Sequence, residues 1–426
     1  MICAPWQRGQ AVIVATVFFL LISLTIMFGI ISPVLRHIES IAESGQSRGS
    51  FYTAEALNED LLYRIEENMT VPPAPTLSLN GATAVGTITD VADGKEVLVT
   101  GTQAGLVRTL KSHLTFGSGA SFFYGVQSGQ GGITMINSSL VIGNLYSNGP
   151  VTGSNSNLVQ GDVVSAGPAG LIDGVHATLS AWAHTILNST IDKDAHYTTI
   201  SNTTVGGTLF PGSPDQVPSP LPISDEQITL WENDALAGGT HTSPCPYSIT
   251  GNVTLGPKKI DCDLNVSGSA VITLLGPLWV SGNIGISNSA DVRIDPSVGS
   301  KSIAIIADNP SDRTAGSRIT ISNTTQFFGS GSPNSYVLLV SQNNSAEQGG
   351  GTDAIRISNS ATGDLLLYAG HGKIELANSV SLKEVTAYKI SLSNTAQVTY
   401  ETGLASLLFT AGPGGGYVFD RWREVE

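Results

Sequence analysis

The chain has 426 residues, a formal net charge of −14 and 13% charged residues. Because a nucleic-acid partner would need a basic surface, this acidic composition argues against one. The 48 glycines and the many short runs of Val, Ile and Leu predict a mainly β protein with frequent turns. At roughly 150 residues per domain, the length suggests about three structural units.

An uncharged, apolar segment lies near the N-terminus, from Ala11 to Ile31, with Phe18 and Leu21 inside it. A helix needs about 20 apolar residues to span a bilayer, so the segment predicts a membrane anchor. The alternatives are a buried helix of a soluble protein and a cleaved secretory signal. A signal has a shorter apolar core, usually about 7–15 residues, and here a helical pattern continues beyond the segment, which favours a retained anchor. By the positive-inside rule, Arg8 places the N-terminus in the cytoplasm and the C-terminal body outside the cell.

Residues 10–70 are predicted to form one helix with two parts, the anchor and a stem. Pro33 follows the apolar segment and is expected to kink the helix near the membrane surface. Leu57, Leu61 and Ile65 then recur at helical spacing, with acidic residues mostly on other faces. The stem is therefore amphipathic and presents one apolar stripe for packing.

Three features of this region occur in the same order as in a known family. Arg8-Gly9 precedes the uncharged segment, Pro33 follows it, and the segment Phe51–Arg64 contains the stretch Ala54-Glu55-Ala56. In these features the chain resembles the type IV pilin-like proteins, and within them the PilX-type minor pilins. The resemblance implies a leader, residues 1–9, that a prepilin peptidase removes. It also implies that the helix packs with other pilin-like subunits.

The resemblance places the cleavage between Gly9 and Gln10, so that Gln10 becomes the first mature residue. The fifth mature position, which is Glu in major pilins, is Val14 here. This difference favours an alternative, a membrane-anchored surface scaffold that does not enter a pilus.

Residues 71–137 are predicted to form a small β region. The proline-rich segment Val71–Pro75 cannot continue the stem helix. Alternating residues then flank Asp93-Gly94, a tight-turn dipeptide, and further strands are predicted up to Val126. We expect an antiparallel sheet that packs on the stem.

From residue 138 to 210, short apolar strands alternate with Asn and Gly and are too closely spaced for a sheet covered by helices. They predict the first coils of a parallel β-helix. Residues 211–239 interrupt the coils with a proline-rich linker and a helix. Ser224 and Gln227 form a capping-box pattern at the start of that helix, which we expect to cover one end or one side of the coils.

Residues 240–426 contain the clearest internal repeat. The pattern Ile-x-(Ile/Leu)-Ser-Asn-(Ser/Thr) begins at Ile284, Ile319, Ile355 and Ile390. Alternating isoleucines would face a core, and each Asn would take a left-handed conformation at a corner. No single coil buries its own apolar face, so the coils must stack. In texture this block resembles the β-helical C-terminal parts attached to PilX-type anchors.

The predicted fold is therefore mainly β. It consists of a long N-terminal transmembrane helix, a small antiparallel β region and a right-handed parallel β-helix, or solenoid.

Cys245 and Cys262 are the two cysteines of the exported region and predict a disulfide, with two buried free thiols as the alternative. In the chain-entropy model, closing this loop stabilises the fold by about 3 kcal/mol. Asp261 and Asp263 flank Cys262 and could bind calcium, but exposed acids beside a disulfide explain them as well. We predict no metal site and no cofactor.

No catalytic site is predicted. Asp291, Arg293 and Asp295 would share one face of a strand, and a second acidic group follows closely, which comprises Asp308, Asp312 and Arg313. Acid–base catalysis on a polysaccharide is the enzymatic alternative, while solvated strand and turn residues explain the same pattern. Three histidines are spaced 8 and 12 residues apart, which matches no compact metal-ligand pattern: His176, His184 and His196.

Together these features predict a non-enzymatic, minor pilin-like protein of the cell surface. It would be a single-pass membrane protein that displays a β-helix for pilus assembly, adhesion or surface contact. The expected partners are the membrane, other pilin-like subunits, a prepilin peptidase and surface polysaccharide. Two alternatives remain, the scaffold outside a pilus and a β-helix enzyme that acts on polysaccharide.

Overall fold

The computed structural model describes residues 7–66, 71–91, 94–116, 119–120, 122–401, 404, 407–409 and 417–425. The chain divides into two compact units. The first contains Met1–Thr115 together with Tyr417–Glu426, and the second contains Phe116–Gly416. The protein is mainly β, with one long apolar helix near its N-terminus and both antiparallel and parallel sheets.

The first unit begins with helix α1 (Gln7–Glu66), which joins the predicted anchor and stem in one continuous helix. Pro33 lies inside it. The helix is assigned without a break on either side of this proline, and a kink there stays a prediction. The predicted 1–9 leader falls partly on Met1–Trp6, which lies outside the described residues.

An antiparallel sheet packs on the C-terminal half of α1. Its strands, in spatial order, are Thr76–Leu79, Ala82–Val91, Gly94–Gln103, Leu106–Phe116 and Tyr417–Val425. Leu57, Leu61 and Ile65 are at most 7% exposed and pack with sheet residues such as Val97 and Leu114. The predicted apolar stripe of the stem is thus the core of this unit.

Gly101 permits the close approach of helix and sheet. A Cβ atom at this position would lie 2.1 Å from the backbone oxygen of Ser50, closer than van der Waals contact allows. The Ser50 hydroxyl also donates a hydrogen bond of 3.1 Å to the backbone oxygen of Leu106. Sequence and packing therefore fix where α1 crosses the sheet.

The boundaries of the β region differ from the prediction. The last strand, Tyr417–Val425, belongs to the antiparallel sheet and not to the 240–426 block. The strand Val126–Ile136 belongs to the second unit and pairs in parallel. Local alternation reveals a strand but not its partner, so neither assignment could be read from the pattern.

In the second unit, the described strands form two long parallel sheets and a short antiparallel pair, Gly119–Ala120 with Leu407–Leu408. One parallel sheet has 12 strands among the described residues: Leu140–Ile142, Leu158–Gln160, His176–Ala177, Thr190–Ile191, Thr204–Val205, Val253–Leu255, Val271–Leu274, Asp291–Ile294, Gln326–Phe328, Thr362–Gly363, Ser381–Leu382 and Gln397–Thr399. Buried aliphatic side chains from these strands form the interior of the stack.

The other parallel sheet has 20 strands among the described residues: Val126–Ile136, Leu145–Ser147, Val151–Ser154, Val163–Ser165, Leu171–Asp173, Ala181–Leu187, Ala195–Ser201, Leu209–Pro211, Thr240–His241, Tyr247–Ile249, Lys258–Ile260, Leu264–Val266, Leu278–Val280, Ile284–Ile286, Ile303–Ala307, Ile319–Ile321, Val337–Ser341, Asp353–Ser358, Leu365–Ala377 and Glu384–Ser393. Many of these strands are short because Asn or Gly residues with positive φ, such as Asn155, Gly174 and Asn288, turn the chain shortly after them.

The repeat residues lie in register along this sheet. Ile284 pairs with Ile319, Ile319 with Ile355, and Ile390 with Ile133. These isoleucines are at most 2% exposed. Like residues therefore stack on like positions, and burial comes from neighbouring repeats rather than from within one repeat.

The order of the strands in the stack differs from their order in the chain. In the 12-stranded sheet the later block, Val253–Leu255 to Gln397–Thr399, comes first, and Leu140–Ile142 to Thr204–Val205 follows it. The join is the pairing of Val398 with Val141. The second unit thus starts in the middle of its own stack.

Helix α2 (Asp225–Ala237) lies against the side of the stack, on the strands Lys258–Ile260, Leu278–Val280 and Ile303–Ala307. The predicted capping box is present, with Ser224 and Gln227 hydrogen-bonded reciprocally. Trp231 is fully buried beside Phe409 at a ring-centroid distance of 4.8 Å. Of the two predicted positions, an end or a side, α2 takes the side.

Candidate functional site

The N-terminal half of α1 exposes an apolar surface. Its large hydrophobic side chains between Val12 and Ile41 are 42–75% exposed, whereas Leu61 in the stem is fully buried. The helix is long and apolar enough to cross a membrane. Each such side chain gains about 1.5–3 kcal/mol when it leaves water, so this half of α1 requires an apolar environment.

The three side-chain hydroxyls between Val12 and Ile31 are hydrogen-bonded within the helix. The hydroxyls of Thr16, Ser23 and Thr25 donate to backbone oxygens of the preceding turn at 2.8–3.0 Å. A bilayer interior offers no water for unpaired donors, so internal pairing is a condition for insertion. This half of α1 meets the length and hydrogen-bonding requirements of a membrane anchor.

The residues of the predicted processing site and family motif all lie on α1. Gly9, Gln10 and Ala11 belong to its first turns, and the side chains of Gln10 and Ala11 lie outside the described part of the structure. Ala54 is fully buried against the sheet, while Glu55 and Ala56 are partly exposed. In this chain the Ala-Glu-Ala stretch therefore serves helix–sheet packing through its first residue.

Cys245 and Cys262 are joined by a disulfide, with their Cα atoms 5.9 Å apart. The neighbouring acids have protein partners. Asp261 accepts from Lys259 at 3.0 Å, and Asp263 accepts from the backbone nitrogen of Asn283 at 2.7 Å. Among the described residues, no group of three or more His, Cys, Asp or Glu side chains is placed to hold a metal ion.

The first acidic group of the enzymatic alternative is divided between two roles. Asp291 and Arg293 form an ion pair of 2.7 Å on the outer face of their strand, as the alternation predicts. Asp295 instead accepts from the backbone nitrogen of Ser297 and caps the 3-10 helix Pro296–Val298. The Ser297 hydroxyl donates to the same carboxylate over 2.6 Å, and this bond, followed by the backbone bond, lowers the pKa of Asp295.

The second group contains a residue that the sequence pattern did not include. Asp308 is fully buried and accepts two bonds of 2.7 Å from Arg313, and Glu232 of α2 lies beside this pair. Burial, reinforced by the negative charge of Asp308, raises the pKa of Glu232 to about 8. Asp312 lies apart from the pair and accepts from backbone nitrogens of its own turn. The cluster holds α2 to the stack, and its only exposed part is the Arg313 side chain, which is 39% exposed.

His371 anchors the first turn of α2. Its Nε2 lies 3.1 Å from Asp225 and its Nδ1 lies 2.7 Å from Glu347. The bond to Asp225 is the main cause that raises the pKa of His371 to about 9, so the ring is a cation at neutral pH. The same bond lowers the pKa of Asp225.

The three predicted histidines lie on the outer face with separate partners. His176 lies 3.1 Å from Asp192, and His184 lies 3.1 Å from Asp215. His196 is stacked between Trp182 and Phe210, at ring-centroid distances of 5.0 and 4.4 Å. Sequence reasoning missed this aromatic column, although the equal spacing of its members, 14 residues, was visible in the sequence.

The proline-rich linker runs along this outer face. Tyr146 donates to the backbone oxygen of Val217, Asn148 exchanges two bonds with Ser219, and Gln127 donates to Pro220. The linker is thus an ordered strap and not a loose excursion.

Comparison with known proteins adds little. No family model matches the chain, and no curated protein matches it. Among solved structures, the crystal structure of the competence-associated pilin ComZ from Thermus thermophilus is similar, with 12% sequence identity and a TM-score of 0.34. The alignment covers 89% of this chain and 97% of that chain. A TM-score this low does not establish a shared fold.

Proposed function

We propose that this chain is a non-enzymatic, minor pilin-like protein of the cell surface, anchored by the N-terminal half of α1. The observation that carries the proposal is that the two halves of one helix differ in what covers their apolar side chains. Phe18 and Leu21 are exposed and apolar, while Leu57 and Leu61 are buried in the protein's own sheet. An exposed apolar helix on a folded body suits a bilayer or a bundle of similar helices.

The second unit is, in this proposal, a right-handed parallel β-helix that the anchor displays. Within each of its two blocks, the strands pair in parallel at separations from 14 residues (Thr190 to Thr204) to 36 residues (Ile319 to Ile355). Right-handed connections between parallel strands are strongly preferred, which supports this handedness. A stiff stack with a polar outer face suits adhesion or surface contact, with surface polysaccharide as a candidate ligand.

The N-terminus lies in the cytoplasm and the body lies outside, because Arg8 precedes the anchor. A prepilin peptidase would cleave between Gly9 and Gln10, and other pilin-like subunits would pack on the apolar half of α1. The alternative is a surface scaffold outside a pilus. Val14, at the position where major pilins have Glu, favours that alternative.

The polysaccharide enzyme is the less supported function. A general acid and base must reach the scissile bond. Asp308 is fully buried and tied to Arg313, and Asp291 is tied to Arg293. These carboxylates are explained by ion pairs that hold the fold.

Protease treatment of spheroplasts tests topology and anchoring together. Trypsin outside the membrane should degrade the body and leave a membrane-bound fragment that contains Ala11–Ile31. Permeabilised spheroplasts give the control, in which trypsin also degrades a cytoplasmic marker protein, so that its survival in intact spheroplasts shows the membrane was sealed. A body that is protected until the membrane is opened would overturn the proposed orientation, and a protein found only in the soluble fraction would overturn the anchor.

A further inference from the structure

The stem and the sheet enclose a small cleft in the first unit, with a volume of about 210 Å3. Its floor is formed by Leu110, which is 1% exposed, and by Asn58, which is 4% exposed. The aromatic side chains of Phe419 and Trp422 line it from the C-terminal strand and are 39% and 48% exposed. The cleft therefore has a rigid base and aromatic walls that reach solvent.

Two carboxylates line the same cleft from α1. Glu55 and Glu59 are four residues apart on the helix, so their side chains lie on one face and repel each other. Among the described residues, no basic side chain forms an ion pair with either of them. The charge of the cleft is therefore negative, and no ion pair within the described part of the chain compensates it.

The geometry of the floor is fixed by hydrogen bonding. The Ser112 hydroxyl donates to Oδ1 of Asn58 over 2.9 Å, which ties the helix to the strand beneath the two glutamates. Trp422 also packs near Phe51, at a ring-centroid distance of 6.3 Å. The cleft is therefore held on both sides.

Carboxylates and aromatic rings together select organic cations. A guanidinium group can bond two carboxylates through its planar set of donors and stack on an indole ring, which an ammonium group does less well. Pockets for drug-sized molecules begin at about 300 Å3, so this smaller cleft suits one side chain. We propose that the cleft binds an arginine side chain, flanked by apolar residues, of a partner polypeptide. The site would serve whether or not the chain enters a pilus, so its test is independent of the proposed function.

Fluorine NMR on the full chain in detergent tests the proposal. The chain has five tryptophans, and fluorotryptophan labelling gives each a signal, with that of Trp422 assigned by Trp422→Phe. The probe is the peptide acetyl-Leu-Arg-Leu-amide. We expect it to shift the Trp422 signal with saturation, to act more strongly than the Lys peptide, and to lose its effect when citrulline replaces Arg.

The double variant Glu55→Gln/Glu59→Gln should weaken binding by about tenfold or more, since both charge-assisted bonds are lost. The matched control is Glu39→Gln/Glu43→Gln, which removes two exposed carboxylates at the same spacing on the same helix and should leave binding unchanged. Three outcomes would overturn the proposal: equal weakening by both double variants, equal binding of the citrulline peptide, and no shift of the Trp422 signal at about 20 mM Arg peptide. A concentration of about 20 mM allows for weak binding by a single salt-bridged side chain. Tighter binding of tetramethylammonium than of the Arg peptide would also overturn it and assign the cleft to small quaternary amines.

Discussion

Asn137 donates a hydrogen bond of 2.9 Å to Oδ1 of Asn394, a residue that follows it by 257 positions. This contact joins the two blocks of the second unit at the point where the late block meets the early one. It also belongs to a continuous row of side-chain amides, in which each Asn after the first donates to the Asn before it in the row. The row comprises Asn359, Asn378, Asn394, Asn137 and Asn155.

The row predicts a measurable contribution to stability. Asn378 has a φ of 61° and bonds both neighbours in the row, so Asn378→Ala loses two hydrogen bonds and strains the backbone. We expect a loss of about 1–3 kcal/mol in the free energy of unfolding, measured by urea unfolding of the detergent-solubilised chain.

Asn334→Ala is the control, because Asn334 has a φ of 62° but lies outside the row. It should show the backbone strain alone. Equal losses in the two variants would mean that the amide row contributes nothing beyond the left-handed turns.

Part of this architecture could be read from the sequence. The spacing of Ile284, Ile319, Ile355 and Ile390 indicated stacked repeats with buried isoleucines, and Asn at the corners indicated left-handed turns. The pairing order could not be read, because the edges of similar repeats are nearly equivalent and nothing local makes Val398 prefer Val141. The cleft, likewise, depends on the placement of Tyr417–Val425 beside Leu106–Phe116, a contact between distant parts of the chain.

For a related reason, the sequence reveals only some of the residues in each polar cluster. Asp308 and Arg313 are close in sequence, so a sequence pattern groups them, whereas Glu232 and His371 come from distant elements that α2 brings together. A sequence pattern reports neighbours along the chain, and these sites are made by tertiary packing.

If the apolar segment of α1 is a membrane anchor, one charge introduced into it should strongly reduce membrane binding. Leu21 is 56% exposed in the middle of the apolar segment, and an arginine near the centre of a membrane helix costs about 2.5–3.5 kcal/mol on insertion. Leu21→Arg should therefore lower the membrane-bound fraction, measured by fractionation and immunoblotting. Tyr63→Arg, on the exposed face of the stem, is the matched control and should remain bound. A wild-type distribution for Leu21→Arg would argue against insertion of this segment.

Glu384 predicts a substitution that stabilises the fold. Its side chain is fully buried. The Thr386 hydroxyl donates a hydrogen bond to Oε1 of Glu384, while Oε2 has no hydrogen-bond partner among the described residues. Burial raises its pKa well above the ordinary 4.5. The folded state keeps the proton while the unfolded chain releases it. The stability of the fold therefore decreases as the pH rises above the pKa that the carboxyl has in the unfolded chain.

Glu384→Gln removes this titration and keeps the shape. The variant should unfold at a higher temperature than the wild type at about pH 7, with the difference absent or reversed at about pH 4, where both side chains are neutral. Thermal unfolding followed by circular dichroism measures this. An equal difference at both pH values would show that packing, and not proton release, distinguishes the two side chains.

His371 makes the stability of the fold depend on pH, and this stability decreases as the pH rises. Its pKa is raised to about 9 from 6.5 by Asp225 and Glu347. The folded state binds the proton more tightly, so the stabilisation is fully present below the unfolded pKa and is lost as the pH rises through about 9.

His371→Gln should abolish this pH-dependent part. The difference in urea midpoint between wild type and variant is expected to be largest near pH 6 and to shrink towards pH 10. These two pH values lie just outside the range between the unfolded pKa of 6.5 and the folded pKa of about 9. A constant difference across this range would mean that the ring acts by packing alone.

The mature N-terminus is the most direct test of the central claim, that the chain is a pilin-like protein with a retained anchor. Intact mass and N-terminal sequencing of the protein from its native membrane and from sheared surface material give this answer in one experiment. We expect a start at Gln10, with Ala11–Ile31 retained. A start at Met1, found only in membranes, would leave an anchored scaffold and contradict the pilin assignment. A start beyond Ile31 would contradict the anchor itself and identify a secreted protein.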